Sequence, residues 1–223
     1  MTPGRMTLRV LRGSWMKRAL LVGVLLLTVE AASRGDELID RVLAVVAGEV
    51  VTLTDVSAAR DLGLASPEGA VDQVRALLDV LIDRELILAE VERYAPPEPD
   101  ADAVDRELAA VRERFPAQAT FDAVLARSGI DQRHLRERLR KDLRMRAYLN
   151  QRFVVPPPSD DELGRYYGAH VQAFSRNSQI VPFEAARVEV AQAWTMEQRL
   201  GLIDGWVAGL RRRAVIIDLY TAR

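Results

Sequence analysis

Residues 40–55 read Asp-Arg-Val-Leu-Ala-Val-Val-Ala-Gly-Glu-Val-Val-Thr-Leu-Thr-Asp, and this stretch decides the fold. The runs Leu43–Val46 and Val50–Thr52 are apolar and β-branched, and they flank Ala47-Gly48-Glu49. Two such runs around a glycine turn predict a β-hairpin. Thr54 is the expected N-cap of a first helix, with Asp55 in the first turn, where the helix dipole favours an anion. That helix is predicted to end near Leu62 and Gly63. A lone two-stranded hairpin is only marginally stable, so it needs a partner. The other good strand is Val215-Ile-Ile217 at the far end of the chain. A third strand over residues 214–220 would complete a small sheet and bring the tail back to the head.

Between the two ends the pattern is helical. Val71, Val74, Leu77, Leu78, Leu81, Ile82, Leu86, Leu88 and Ala89 recur at helical spacing and predict a long central helix from Glu68 to Tyr94. Asp100 is the expected cap of a third helix ending at Phe115. Thr120 is the expected cap of a short fourth one. Asp131 opens a fifth, running to Arg152, with Leu135, Leu139, Leu143, Met145, Ala147, Leu149 and Phe153 as its inner arc. Pro156-Pro-Pro158 stops it. Ser159 or Asp160 caps a sixth helix through Tyr166 and Tyr167. Residues 175–180 read as a polar loop, and Pro182 opens a last helix to Arg213.

The N-terminal segment sets the compartment. Met16-Lys17-Arg18 is cationic, Ala19–Leu27 is apolar, and small residues follow at Ala31, Ala32 and Ser33. That order is the n-region, h-region and cleavage region of a secretory signal. The apolar run falls short of the about 20 residues a membrane span needs. Residues 1–32 are therefore expected to be a signal peptide, with Met16 as a possible start. An uncleaved anchor is the competing reading. The chain has 31 basic and 32 acidic residues. Residues 1–31 hold five basic residues and one acidic residue, so the remainder has a net charge of −5. An acidic balance argues against nucleic acid as the main partner. There is no cysteine, so disulfides do not hold the fold.

The stretch 40–55 resembles the N-terminal signature of the SurA-like periplasmic chaperones, with Ala47 where those chains usually carry asparagine. Leu81-Ile-Asp-Arg-Glu-Leu-Ile-Leu-Ala-Glu90 resembles the family's central helix. Residues 120–152 are similar to its short helix, glycine and long basic helix. Pro182-Phe-Glu-Ala-Ala-Arg187 and Trp206-Val-Ala-Gly-Leu-Arg211 are similar to its C-terminal helix. The resemblance implies a mainly α helical chaperone domain, with a small β-hairpin near the N-terminus completed by a C-terminal strand. It also implies a division into the signal (1–32), a SurA-like N-terminal chaperone domain (36–155), a Pro-rich hinge, linker helix and loop (156–181), and a C-terminal helix and strand packing back on the first domain (182–223).

Family members usually carry one or two parvulin-type prolyl isomerase domains after the long helix. Here only residues 175–181 separate the sixth helix from the last, too few to build one. His134 and His170 lie on helices. The expectation is a chaperone domain without the isomerase.

No nucleophile, metal or phosphate motif stands out, and no cofactor is expected. Asp160-Asp161-Glu162 reads as N-cap and first-turn carboxylates. Arg133, Arg136, Arg140, Lys141 and Arg144 form a basic stripe, read first as a solvated face and alternatively as a surface attracting acidic clients or lipid. Arg146 falls inside the apolar arc and is a candidate partner for Glu85 or another carboxylate. Gly201, Gly205 and Gly209 repeat every four residues and suggest a closely packed or docking face. Met145, Tyr148, Leu149, Phe153, Tyr166, Tyr167 and Phe174 are the candidate client-binding residues, since methionine and aromatic side chains supply adaptable apolar surface. Core packing is the competing reading for each. Tyr166, Tyr167 and Phe174 are expected on an open face. The reading that results is a periplasmic, ATP-independent holdase for unfolded outer-membrane or exported polypeptides, with no stable membrane insertion after signal cleavage. A residual prolyl isomerase and a dedicated assembly partner of one exported complex are the alternatives.

Overall fold

The computed structural model of the chain describes residues 40–66, 69–176 and 178–222. The expected signal segment 1–32, with Met16, lies outside the described residues, as does Glu68. Strands β1 (Val42–Val46) and β2 (Glu49–Thr52) pair antiparallel with Val46 opposite Glu49, leaving a two-residue loop. Ala47 and Gly48 both have positive φ, 52° and 93°. Such a primed turn has the twist that antiparallel strands need. Gly48 adopts it freely, whereas Ala47 carries the strain of a left-handed conformation.

The tail returns to the head as expected. Strand β5 (Ile216–Asp218) pairs antiparallel with β1, giving the order β2-β1-β5. Ile216, Ile217 and Asp218 stand opposite Val46, Val45 and Ala44. The Leu219 amide extends the ladder by donating to the Leu43 carbonyl at 2.9 Å. β1 is thus the central strand, and its Leu43, Ala44 and Val46 are fully buried.

Helix α1 (Leu53–Asp61) begins two residues earlier than expected, with Thr52 rather than Thr54 as N-cap. The Thr52 hydroxyl accepts from the Asp55 amide at 3.2 Å, and the Asp55 carboxylate accepts from the Thr52 amide at 2.9 Å. This reciprocal box needs a spacing of three, which only Thr52 has with Asp55. The Thr54 amide donates instead to Asp40. Helix α2 (Gln73–Tyr94) starts later than expected, capped by Asp72. Val71 precedes it in full exposure, and Ala89 faces solvent. Its Leu77, Leu78, Leu81, Ile82 and Leu86 pack under the sheet with Val56, Ala59 and Leu210, forming the first core.

Helices α3 (Ala101–Arg112), α4 (Gln118–Arg127) and α5 (Gln132–Arg152) follow. Helix α4 starts at Gln118 behind Ala117, ahead of the expected cap Thr120. Phe121 of α4, Val104, Leu108 and Val111 of α3, and Leu135 and Leu139 of α5 close a second core against Ala58 of α1 and Leu62, which caps its end. Helix α6 (Asp160–Ala169) is capped by a Ser159–Glu162 box, the Glu162 carboxylate accepting from the Ser159 amide at 2.8 Å. A 3-10 turn (Val171–Phe174) follows α6, and the segment 175–180, expected to be a polar loop, holds a minimal hairpin of β3 (Ser175–Arg176) and β4 (Gln179–Ile180). Helix α7 (Phe183–Arg213) is the longest. At 1.5 Å per residue it spans about 46 Å. Its first half packs on α6 and its second half on α2. No helix among the described residues is long and apolar enough to cross a membrane.

A polar clasp fastens the tail. Arg75 pairs with Asp79 at 2.5 Å and with Asp218. The Tyr220 hydroxyl donates to Asp72 at 2.8 Å, and Arg211 pairs with Asp83 at 2.5 Å. The Arg75 backbone amide, then the Tyr220 hydroxyl, hold Asp72 below the usual carboxylate range. The Arg75 guanidinium does the same for Asp79. Burial pushes Asp218 up, but Arg75 and the Tyr220 amide outweigh it and leave Asp218 lowered.

Candidate functional site

The structure divides the seven candidate residues between two separate apolar clusters. Met145, Tyr148 and Leu149 occupy the last turns of α5, and Phe153 caps its end. Met145, Tyr148 and Leu149 pack with Ile87 and Val91 of α2 and Ile203, Trp206 and Val207 of α7. Tyr148 is buried, with its ring 5.6 Å from Tyr94 and 6.1 Å from Trp206. Phe153 is half-buried, 5.3 Å from Trp206. The Arg152 guanidinium sits 5.3–5.9 Å from the rings of Tyr94, Tyr148, Phe153 and Trp206. A cation over several rings is attracted by their quadrupoles, so Arg152 forms a polar lid on this corner. The Tyr148 hydroxyl has no hydrogen-bond partner among the described residues, and burial raises its pKa.

Tyr166, Tyr167 and Phe174 belong to the second cluster, with Leu163 of α6 and Ala186, Val190 and Trp194 of α7. Here the expectation of an open face is corrected. Phe174 is buried, and Tyr167 lies between Phe174 at 5.7 Å and Phe183 at 5.5 Å. The Tyr167 hydroxyl donates to the Val181 carbonyl at 2.7 Å. The 3-10 turn, the small hairpin and the start of α7 cover these rings, because large aromatic surface is driven to bury itself. Tyr166 stays half-buried, 4.3 Å from His170.

Residues 195–202 of α7 belong to neither cluster. Within them Met196, Leu200 and Leu202 are 56%, 50% and 51% exposed. The glycine stripe differs from the close-packed reading. A side chain at Gly201 or Gly205 would meet nothing within 4 Å, and one at Gly209 would meet only the Arg213 and Arg212 side chains. The stretch is mixed: Met196, Leu200, Gly201 and Leu202 alternate with Thr195, Glu197, Gln198 and Arg199, and Arg199 donates to Asn150 of α5. Sequence reasoning missed Met196, Leu200 and Leu202. The signal was there: they are apolar side chains on a helix whose pattern never closes into one buried stripe.

The charges also fall differently from the reading of α5. Arg146 is exposed and pairs with Glu107 at 2.7 Å rather than with Glu85. Glu85 pairs with Arg84 at 2.5 Å, and Arg84 reaches Asp142 at 2.7 Å. Arg144, assigned to the solvated stripe, is 6% exposed and pairs with Glu92 at 2.6 Å. Arg136 pairs with Asp105, and Arg140 with Glu98 and with Glu137 at 2.7 Å. Most of the stripe is thus tied to neighbouring helices. His134 pairs with Asp131, and His170 with the Tyr166 carbonyl. No group of three or more histidines and carboxylates among the described residues could hold a metal ion.

Neither a protein-family model nor a curated protein matches the sequence. Among solved structures the chain is similar to one described for the virulence factor PEB4 and the periplasmic protein Cj1289, two structurally related SurA-like chaperones of the human pathogen Campylobacter jejuni. The TM-score is 0.50 at 15% identity, over 81% of this chain and 100% of that chain. At this identity the likeness speaks for the fold: a helical body whose hairpin and C-terminal strand make one small sheet.

Proposed function

We propose that this chain is an ATP-independent chaperone that holds extended apolar and aromatic segments of unfolded exported polypeptides, outer-membrane proteins among them, in the periplasm. The observation that carries the reading is the bare stretch of α7. Met196 and Leu200, one turn apart on one face, and Leu202 on another face stand about half exposed on a SurA-like fold, between two aromatic clusters. Such a surface binds by reversible burial of apolar area, at about 25 cal/mol per Å². Met145 and Leu149 share a cluster with Ile203, and Phe153 packs on Trp206, past the C-terminal end of the stretch, and Tyr166 belongs to the cluster of Trp194 at its other end. Tyr148, Tyr167 and Phe174 back those residues from the interior. In this reading residues 36–155 and 182–223 form one chaperone body behind a cleaved signal at 1–32. Residues 156–181 are the place where related chains carry an isomerase domain, and this chain does its work without one.

The test is dilution of a urea-unfolded β-barrel protein into buffer with a stoichiometric amount of the chain lacking residues 1–32. Suppressed light scattering is expected. A Met196→Glu/Leu200→Glu/Leu202→Glu variant should lose at least five-fold of that effect with its thermal midpoint nearly unchanged, since these side chains have little packing to lose. No suppression by the parent chain would overturn the reading. A proline-peptide isomerisation assay is expected to show no rate above background. A rate above background would favour the isomerase alternative.

A further inference from the structure

Strand β5 is an edge of the three-stranded sheet, and among the described residues its far side carries no partner strand. The ladder on its β1 side fixes which groups are left over. The Leu219 amide donates to the Leu43 carbonyl at 2.9 Å, the Ala47 amide donates to the Val215 carbonyl at 3.4 Å, and Ile217 stands opposite Val45 between them. Residues 215, 217 and 219 therefore turn their backbone groups toward β1. Alternation along an extended chain points the amides and carbonyls of Ile216 and Asp218 the other way. No backbone hydrogen bond from another strand meets them among the described residues.

The side chains alternate with the same parity. Ile216 packs on the first core, and Asp218 pairs with Arg75 on that covered face. Ile217 lies on the opposite face, in one cross-strand row with Val45 and Val50. Val50 and Ile217 are each 50% exposed, and Val215 is 76% exposed. An open backbone edge thus adjoins an apolar row that stops at Ile217. Donors and acceptors spaced in this way are matched by another extended backbone.

We propose that β5 binds an extended polypeptide segment as a fourth strand, antiparallel to it, with apolar residues at every second position. The antiparallel sense continues the pairing that β5 already makes with β1, and it is the more stable one per residue. The apolar residues of the guest extend the row of Val50, Val45 and Ile217. Its polar residues lie beside Asp218, whose carboxylate is 40% exposed. A second copy fits this edge poorly. The one antiparallel register that engages Ile216 and Asp218 of both copies centres on Ile217 and sets each Asp218 directly against an Ile216. A segment of free sequence places a hydroxyl or a cation there instead. Taking an exported barrel protein, whose strands alternate in this way, as the source of the segment rests on the chaperone reading.

The register makes the test specific. In an antiparallel guest the polar residues, opposite Ile216 and Asp218, turn their amides to β5, and the apolar residues turn theirs to solvent. The probes are fluorescein-Gly-Thr-Val-Thr-Val-Thr-Lys-amide, the same peptide N-methylated at its threonines, and the same peptide N-methylated at its valines. Binding to the full chain is read by fluorescence anisotropy. Methylation at threonine is expected to weaken binding at least five-fold, and methylation at valine less than two-fold. Ile217→Lys should weaken the unmethylated peptide about three-fold with the thermal midpoint nearly unchanged, since this side chain is half exposed. Equal effects of the two methylations, a loss confined to the valine form, or no binding of the unmethylated peptide would overturn the proposal. A dimer of the unliganded chain in sedimentation that Ile217→Lys dissociates would overturn it in favour of a second copy. Aggregation suppression is measured beside it. Suppression without discrimination between the methylated peptides removes the edge and leaves the chaperone reading standing, and discrimination without suppression does the reverse.

Discussion

Ala47 is the clearest single residue at which the chain is not optimised. It holds φ at 52° in a turn position where asparagine or glycine sits with less strain. Ala47→Asn is expected to stabilise the fold by about 1 kcal/mol, read as a higher urea midpoint at unchanged slope. An unchanged or lower midpoint would mean that the turn is not of the primed kind. Arg144 is the opposite case. Its buried stem ties α5 to Glu92 at the end of α2, while the carboxylate partner stays exposed and hydrates readily. Arg144→Ala should therefore cost about 1–2 kcal/mol, less than the loss of a fully buried pair. The turn was legible because Ala47-Gly48 lies between two β-branched runs. The cap was misplaced by two residues because two threonines precede Asp55, and only the spacing of the reciprocal bond separates them.

At the scale of elements, α5 shows why the arginines exchanged roles. Leu135 and Leu139 face α3 and α4, whereas Arg144 and Tyr148 face inward among α2 and α7. A helix that changes partners along its length turns a different face inward after the change. A single periodic arc places Arg146 inside and Arg144 outside, and the structure does the reverse. The same reasoning explains α7, whose two halves serve different cores and leave the middle bare. The closing strand was legible because a marginal hairpin needs a third strand and the chain offers one. Removing residues 214–223 should strip β1 of its partner and release the clasp, lowering the thermal midpoint by at least 10 °C. A truncated chain as stable as the parent would contradict that pairing.

The clasp also sets an acid limit. Asp72, Asp79 and Asp218 titrate below their unfolded values, so their contribution is present above about pH 4 and is lost as pH falls through the folded pKa values. The thermal midpoint should fall between pH 5 and pH 3, and Asp218→Asn should make that fall shallower. An identical pH dependence in the variant would remove Asp218 from the clasp.

At the scale of the molecule, two clusters are joined by a long helix whose middle carries half-exposed Met196, Leu200 and Leu202 among polar neighbours. That arrangement has a cost in exposed apolar surface, which isolated domains usually keep small. The candidate residues on α5 and α6 were legible as aromatic and methionine positions. Their packing was not, because whether a ring lies in a core or on a surface depends on what folds over it. The covering elements, a 3-10 turn and a hairpin of two two-residue strands, leave almost no periodic trace. The bare stretch became visible only once both ends of α7 had found their partners. The most direct test is site-specific photo-crosslinking with benzoylphenylalanine at position 196, 200 or 202, and at Glu113 beyond the end of α3 as the control, during dilution of an unfolded barrel protein. The account predicts client adducts at the three α7 positions and few at 113. Adducts spread evenly over all four positions, or absent from α7, would contradict it.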